Sequence, residues 1–174
     1  LEEMQPLFSA VAHGCAAGLH QQALDEVYWP RIRREGEAYI VKKLGAFSDD
    51  LATVAHFFTT LWHTPAAGLG ELWQAGVLNW AGFDLRALGR LREALEPMQA
   101  SLDLFAKQED WKQAAAQASN LSELLLTLGD VTQAEMPVVK SAHCRNEDAW
   151  AVVAISAIPV AEFGCGGENL HQLI

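Results

Sequence analysis

A short phrase that returns at a fixed distance restricts this chain more than any other feature. Leu88-Gly89-Arg90-Leu91-Arg92-Glu93-Ala94 is followed 40 residues later by Leu128-Gly129-Asp130-Val131-Thr132-Gln133-Ala134. The glycine, the apolar residue two places on and the alanine five places on coincide. Each copy closes one apolar-periodic segment rich in Leu and Ala and opens another, which is how two antiparallel helices joined by a tight glycine turn read. The glycine takes a left-handed conformation that a Cβ makes costly. The alanine stands where two helices cross closely and a larger side chain would overpack. A recurrence of this length indicates a repeat architecture.

Two weaker copies precede these. Gly18 is followed by Ala23, with His20 at the middle position, and Gly45 is followed by Phe47, with Asp50 in place of the alanine. Hairpin turns are therefore expected near residues 18, 45, 89 and 129. The spacing between copies is uneven, and residues 63–70, with Pro65, Gly68 and Gly70, read as the linker that absorbs the difference.

Between the turns the apolar residues keep helical spacing. Residues 6–17 form a first helix and residues 21–29 a second that ends at Pro30. Residues 31–44 carry five basic side chains and read as a solvated helix face paired with Glu35 and Glu37. Ser48 is a good N-cap, and Asp49 and Asp50 fall in the first turn, where the helix dipole favours negative charge. That helix is expected to run to about Trp62. Residues 71–88 and 91–106 form the next pair, with Pro97 bending the second. Asp110 is placed to cap residues 111–128. A last helix starts at Val131 and meets Pro137. Beyond it the phrase does not return, so a repeat domain over residues 1–137 is followed by an irregular tail over residues 138–174.

With these copies in view the chain resembles the tetratricopeptide-repeat superfamily. Gly89, Leu91, Ala94, Met98 and Ser101 match its second-helix pattern, and Gly82 and Leu85 its first-helix pattern; Gly129, Val131, Ala134, Leu121 and Leu125 do the same in the next unit. Leu85 and Leu125 replace the usual first-helix aromatic, and the closing proline is missing after Ser101. Units near 40 residues also look like the irregular repeats in the sensor arms of bacterial STAND-type signalling NTPases. The resemblance implies an all-α, right-handed superhelical stack of about four antiparallel helix hairpins. It implies a scaffold or sensor segment for protein–protein interaction, carried on a longer polypeptide, which a chain beginning with Leu and lacking polar capping repeats also suggests.

Composition narrows the partner. The 174 residues carry 12 Lys+Arg against 22 Asp+Glu, a net charge of −10, which argues against a nucleic-acid backbone and favours solubility and a basic ligand. Three scattered cysteines and no basic-then-apolar leader point to a reducing, cytoplasmic setting. The longest apolar run, residues 149–161, is interrupted by Pro159 and is shorter than the roughly 20 residues a membrane span needs.

No phosphate-binding loop, nucleophile elbow or zinc-protease helix motif occurs, so neither catalysis nor a cofactor is expected. His143, Cys144, Cys165 and His171 are zinc-ligating residue types without the paired short spacing of structural zinc sites. They leave a small metalloprotein or enzyme as an alternative. His13, His20, His56 and His63 satisfy backbone groups or face water, and the six tryptophans read as core or interface fillers. A second alternative is homo-oligomerisation through exposed Trp and Phe, giving a homodimer.

The concave face of such a stack is lined by first-helix side chains. Those expected to bind a protein or peptide are Asn79, Phe83 and Arg86 from one unit and Ser119, Asn120, Glu123 and Leu126 from the next. A clamp for a C-terminal carboxylate is not expected, because Phe83 and Glu123 stand where cations would be needed.

Overall fold

Four helix ends among the described residues close with the same hydrogen-bond pattern, and that pattern sets the architecture. At the end of a helix over Glu71–Ala87, Gly89 N–H donates to the Arg86 carbonyl (3.1 Å) and Arg90 N–H to the Leu85 carbonyl (2.9 Å). The left-handed residue at the bend satisfies carbonyls that the helix leaves orphaned. The same pair of bonds recurs around Gly18, Gly129 and Glu109. Gly18, Gly45, Gly89 and Gly129 all have positive φ, between 63° and 80°. Glu109 occupies the same conformation at φ 59° without glycine's freedom.

The computed structural model describes residues 1–130, which are mostly helical. Helix α1 spans Gln5–Ala16, and α2 spans His20–Ala23 and continues as a π-helix over Leu24–Arg33. Short α3 (Tyr39–Lys42) leads to α4 (Phe47–Val54). A two-stranded antiparallel ribbon follows, β1 (Phe58–Thr60) against β2 (Thr64–Pro65), with Phe58 opposite Pro65. Three 17-residue helices complete the described chain: α5 (Glu71–Ala87), α6 (Leu91–Lys107) and α7 (Trp111–Thr127). Among the described residues no helix is long and apolar enough to cross a membrane.

Helices α5 and α6 run antiparallel with little between them. A Cβ added at Gly82 would lie 2.5 Å from Met98 Cγ, so only glycine admits this approach. Ala94 is fully buried, and Ser101 Oγ donates to the Ala75 carbonyl at 3.0 Å in the same seam. Helix α6 packs in turn on α7, whose start is capped by Asp110 Oδ1 accepting from Gln113 N–H at 3.1 Å. In α7, Ala114, Ala118, Leu121 and Leu125 are buried.

Helices α1 and α2 pack together across the Gly18 turn, but over residues 30–66 the chain departs from the expected hairpins. Helix α2 does not stop at Pro30: the wider π-turn carries the chain past the proline ring that would collide with an α-helical carbonyl, and Arg34 N–H bonds to the Trp29 carbonyl. Residues 31–44 do not form one solvated helix. Arg34, Glu35 and Ala38 take positive φ and break the segment, and Arg33 is buried. Ser48 is not a cap, because α4 begins one residue earlier with Ala46 at the N-cap. The helix also ends at Val54, well short of Trp62. A 3-10 turn at Ala55–Phe57 buries Phe57, and the β-branched pair Thr59 and Thr60 then favours extended chain. Residues 63–70 are not a free linker: Ala66 and Leu69 are buried, and Gly70 N–H donates to Gln21 Oε1 at 2.9 Å.

The last helix expected from Val131, and the whole of residues 138–174, lie outside the described residues. So do His143, Cys144, Cys165 and His171.

Candidate functional site

Helices α5 and α7 both precede a glycine turn and run in the same direction, joined by side chains that span the gap between them. Asn79 Oδ1 accepts from Gln117 Nε2 at 2.7 Å, and two turns along, Arg86 Nη2 lies 2.7 Å from Glu123 Oε2. Arg86 Nη1 also donates to the Asn120 backbone carbonyl at 3.4 Å. Asn79, Arg86, Ser119 and Asn120 are half-buried, and Glu123 is exposed. An ion pair this open to water contributes little stability, about 0–1 kcal/mol.

Two large apolar residues flank these pairs and stay in water. Phe83 is 44% exposed and Leu126 54% exposed. Phe83 has an aromatic neighbour in Phe47 of α4, with ring centroids 6.1 Å apart. The structure thus ties Asn79 to Gln117, and Arg86 to Asn120 and Glu123. For Ser119 it gives a half-buried position on α7. Phe47 and Gln117 were missed by the sequence reading. Phe47 was visible only as the apolar member of a weak copy of the phrase, and Gln117 only as a polar residue two places before Ser119.

A second constellation lies under this face, where α2 and α4 meet α5. Asp50 is fully buried and accepts from Tyr28 Oη (2.7 Å) and from Arg33 Nη1 (2.7 Å). Arg33 Nη1 also lies 3.3 Å from Tyr28 Oη. The guanidinium sits over Trp80, 4.7 Å from the ring centroid. Tyr28 is wedged between Phe57 and Trp80, at centroid distances of 5.4 and 5.2 Å. Trp29 and Trp73 extend the aromatic layer, with Trp29 stacked on Trp80 at 5.7 Å. Asp50 occupies the alanine position of the repeated phrase. It sits in the first turn of α4, as expected, but it faces the core and not water. It is a core residue that neutralises a buried arginine.

Asp84 completes the group from α5. Its carboxyl is within hydrogen-bond reach of that of Asp50, yet among the described residues no N–H or O–H donor meets either of its buried oxygens. Burial, with the charge of Asp50 added to it, pushes Asp84 up to about 9. Burial likewise raises Tyr28 well above the ordinary phenol range, and Asp50 adds to the shift. The Cys15 thiol is pushed up to about 11 by burial, which leaves it unreactive near neutrality. Among the described residues no group of three or more His, Cys, Asp or Glu is placed to hold a metal ion.

Set against family models, curated proteins and solved structures, the chain matches none of them.

Proposed function

We propose that α5, α6 and α7 are successive rods of a tetratricopeptide-like right-handed stack, and that the face shared by α5 and α7 binds a peptide or helix from a protein partner. In this reading the chain reads a partner and performs no catalysis. The observation that carries it is the exposure of Phe83 and Leu126 on either side of the Arg86–Glu123 pair. Apolar contact with those two side chains would supply most of the affinity. Asn79, Arg86, Ser119, Asn120 and Glu123 would fix the direction of the bound segment through hydrogen bonds. The equal lengths of the three helices, the repeated turn geometry and the parallel course of α5 and α7 support the stack.

Peptides selected from a random displayed library against the whole chain test this reading. Their binding should fall about tenfold or more in both Phe83→Ser and Leu126→Ser, with unchanged melting temperature, since each substitution removes an exposed apolar contact that the bound segment would bury. A selection that yields no binders, or binders indifferent to both substitutions, would reject it.

A further inference from the structure

The buried carboxyl pair supports a conclusion that does not depend on partner binding. Both Asp50 and Asp84 are completely shielded from solvent, and they lie within hydrogen-bond reach of each other. One guanidinium faces them, and it is already engaged: Arg33 Nη1 contacts Asp50 Oδ2 and the Tyr28 hydroxyl. Asp50 has two donors, whereas Asp84 has none. If both carboxyls were ionised, two negative charges would share one cation in a site shielded from bulk solvent, and one of them would lack any hydrogen bond among the described residues. Such a charge is neutralised by taking up a proton. We infer that Asp50 and Asp84 form a proton-binding site of the folded protein, holding one hydrogen between them, and that the stability of the junction of α2, α4 and α5 depends on that hydrogen.

The proton resides on Asp84, because Tyr28 and Arg33 already stabilise the ionised form of Asp50. Protonated Asp84 donates O–H to Asp50, which gives Asp50 a third donor and gives the Asp84 carboxyl the hydrogen bond it otherwise lacks. The titratable groups facing Asp84 are Asp50 from α4 and Arg33 from α2, with Tyr28 reached through Asp50. The α6 residues buried against this side of the fold, among them Ala94, Met98 and Ser101, are uncharged, and β2 contributes only Thr64 and Pro65. Among the described residues Arg33 is the cation that acts on Asp84.

The sign of the pH effect follows. An aspartate in the unfolded chain releases its proton near the ordinary value of about 3.9, whereas the folded site keeps it to about 9. The stabilisation is complete below the unfolded value and is lost progressively as pH rises towards the folded one. Over that window the folded state binds one proton more than the unfolded state.

Chemical denaturation of the whole chain and of Asp84→Asn between pH 5 and 8 tests this directly. The variant keeps an N–H donor towards Asp50 but cannot titrate. Relative to the variant, the unfolding constant of the wild type should rise about tenfold for each pH unit, the slope of one proton. Parallel pH profiles would overturn the inference. Carboxyl carbon NMR of the wild type gives an answer even if the variant does not fold. The Asp84 resonance should lie at the protonated position at pH 7, and an ionised position there would equally overturn it.

Discussion

The two ends of the described chain are both helical, yet they are held together in opposite ways. Over residues 71–130 the helices are long, their boundaries fall at turns of one geometry, and the seams are filled by Gly82, Ala94, Met98 and Ser101. Small side chains bring the α5 and α6 backbones together, and the one buried hydroxyl there finds a carbonyl. Over residues 1–66 the helices are short or wound as π and 3-10 turns, three non-glycine residues near residue 36 take left-handed geometry, and the interior holds an arginine and an aspartate. Where backbones can approach closely, a dry seam suffices. Where the irregular region meets α5, long polar side chains from both sides (Arg33, Asp50 and Asp84) are buried together and must satisfy one another.

This difference sets the ranking of expected mutational effects. The largest belongs to the buried pair. Asp50→Leu removes the ionised partner of Arg33 and leaves only Asp84 to charge in its place; it should lower the unfolding free energy by up to about 3–5 kcal/mol in urea titration. A loss under about 1 kcal/mol would mean that Asp84 takes over as counter-charge or that water reaches Arg33 readily. In the dry seam, Ala94→Leu forces a larger side chain between α5 and α6. It should cost about 1–3 kcal/mol, and a melting temperature unchanged within error would place Ala94 away from a helix crossing. The smallest effect has the opposite sign. Glu109 closes α6 in the conformation that glycine takes at residues 18, 89 and 129. Glu109→Gly should raise stability by roughly 1 kcal/mol by removing the left-handed penalty, and a loss instead would show that the Glu109 side chain carries a compensating contact.

Much of the regular region could be read from residue order alone. Gly89 and Gly129 mark bends because left-handed backbone has a strong residue preference, and the Asp110 cap follows from local chemistry. The limits of α5, α6 and α7 come from periodicity over many residues, which one unusual side chain does not disturb. The irregular region was not legible in the same way. Pro30 reads as a stop under α-helical rules, and only the wider winding of Leu24–Arg33 lets the chain pass it. Asp50 and Arg33 each follow a surface pattern locally, and their burial is decided by partners 17 residues apart and by Trp80. The sequence did hold one signal, an aspartate standing where the repeated phrase has alanine. Of the candidate binding residues, Phe83 and Leu126 could be placed by counting along helices. The pairing of Asn79 with Gln117 required the relative position of α5 and α7, which no local pattern contains.

The claim that irregular packing is held by mutually compensating buried charge can be tested by one double-mutant cycle. Urea unfolding at pH 7 would be compared for wild type, Arg33→Met, Asp50→Leu and the double variant. Each single substitution should be strongly destabilising, while the double variant recovers most of the loss, because no lone charge remains buried. If the double variant loses the sum of the two single effects, the two side chains do not depend on each other and the junction is held by something else.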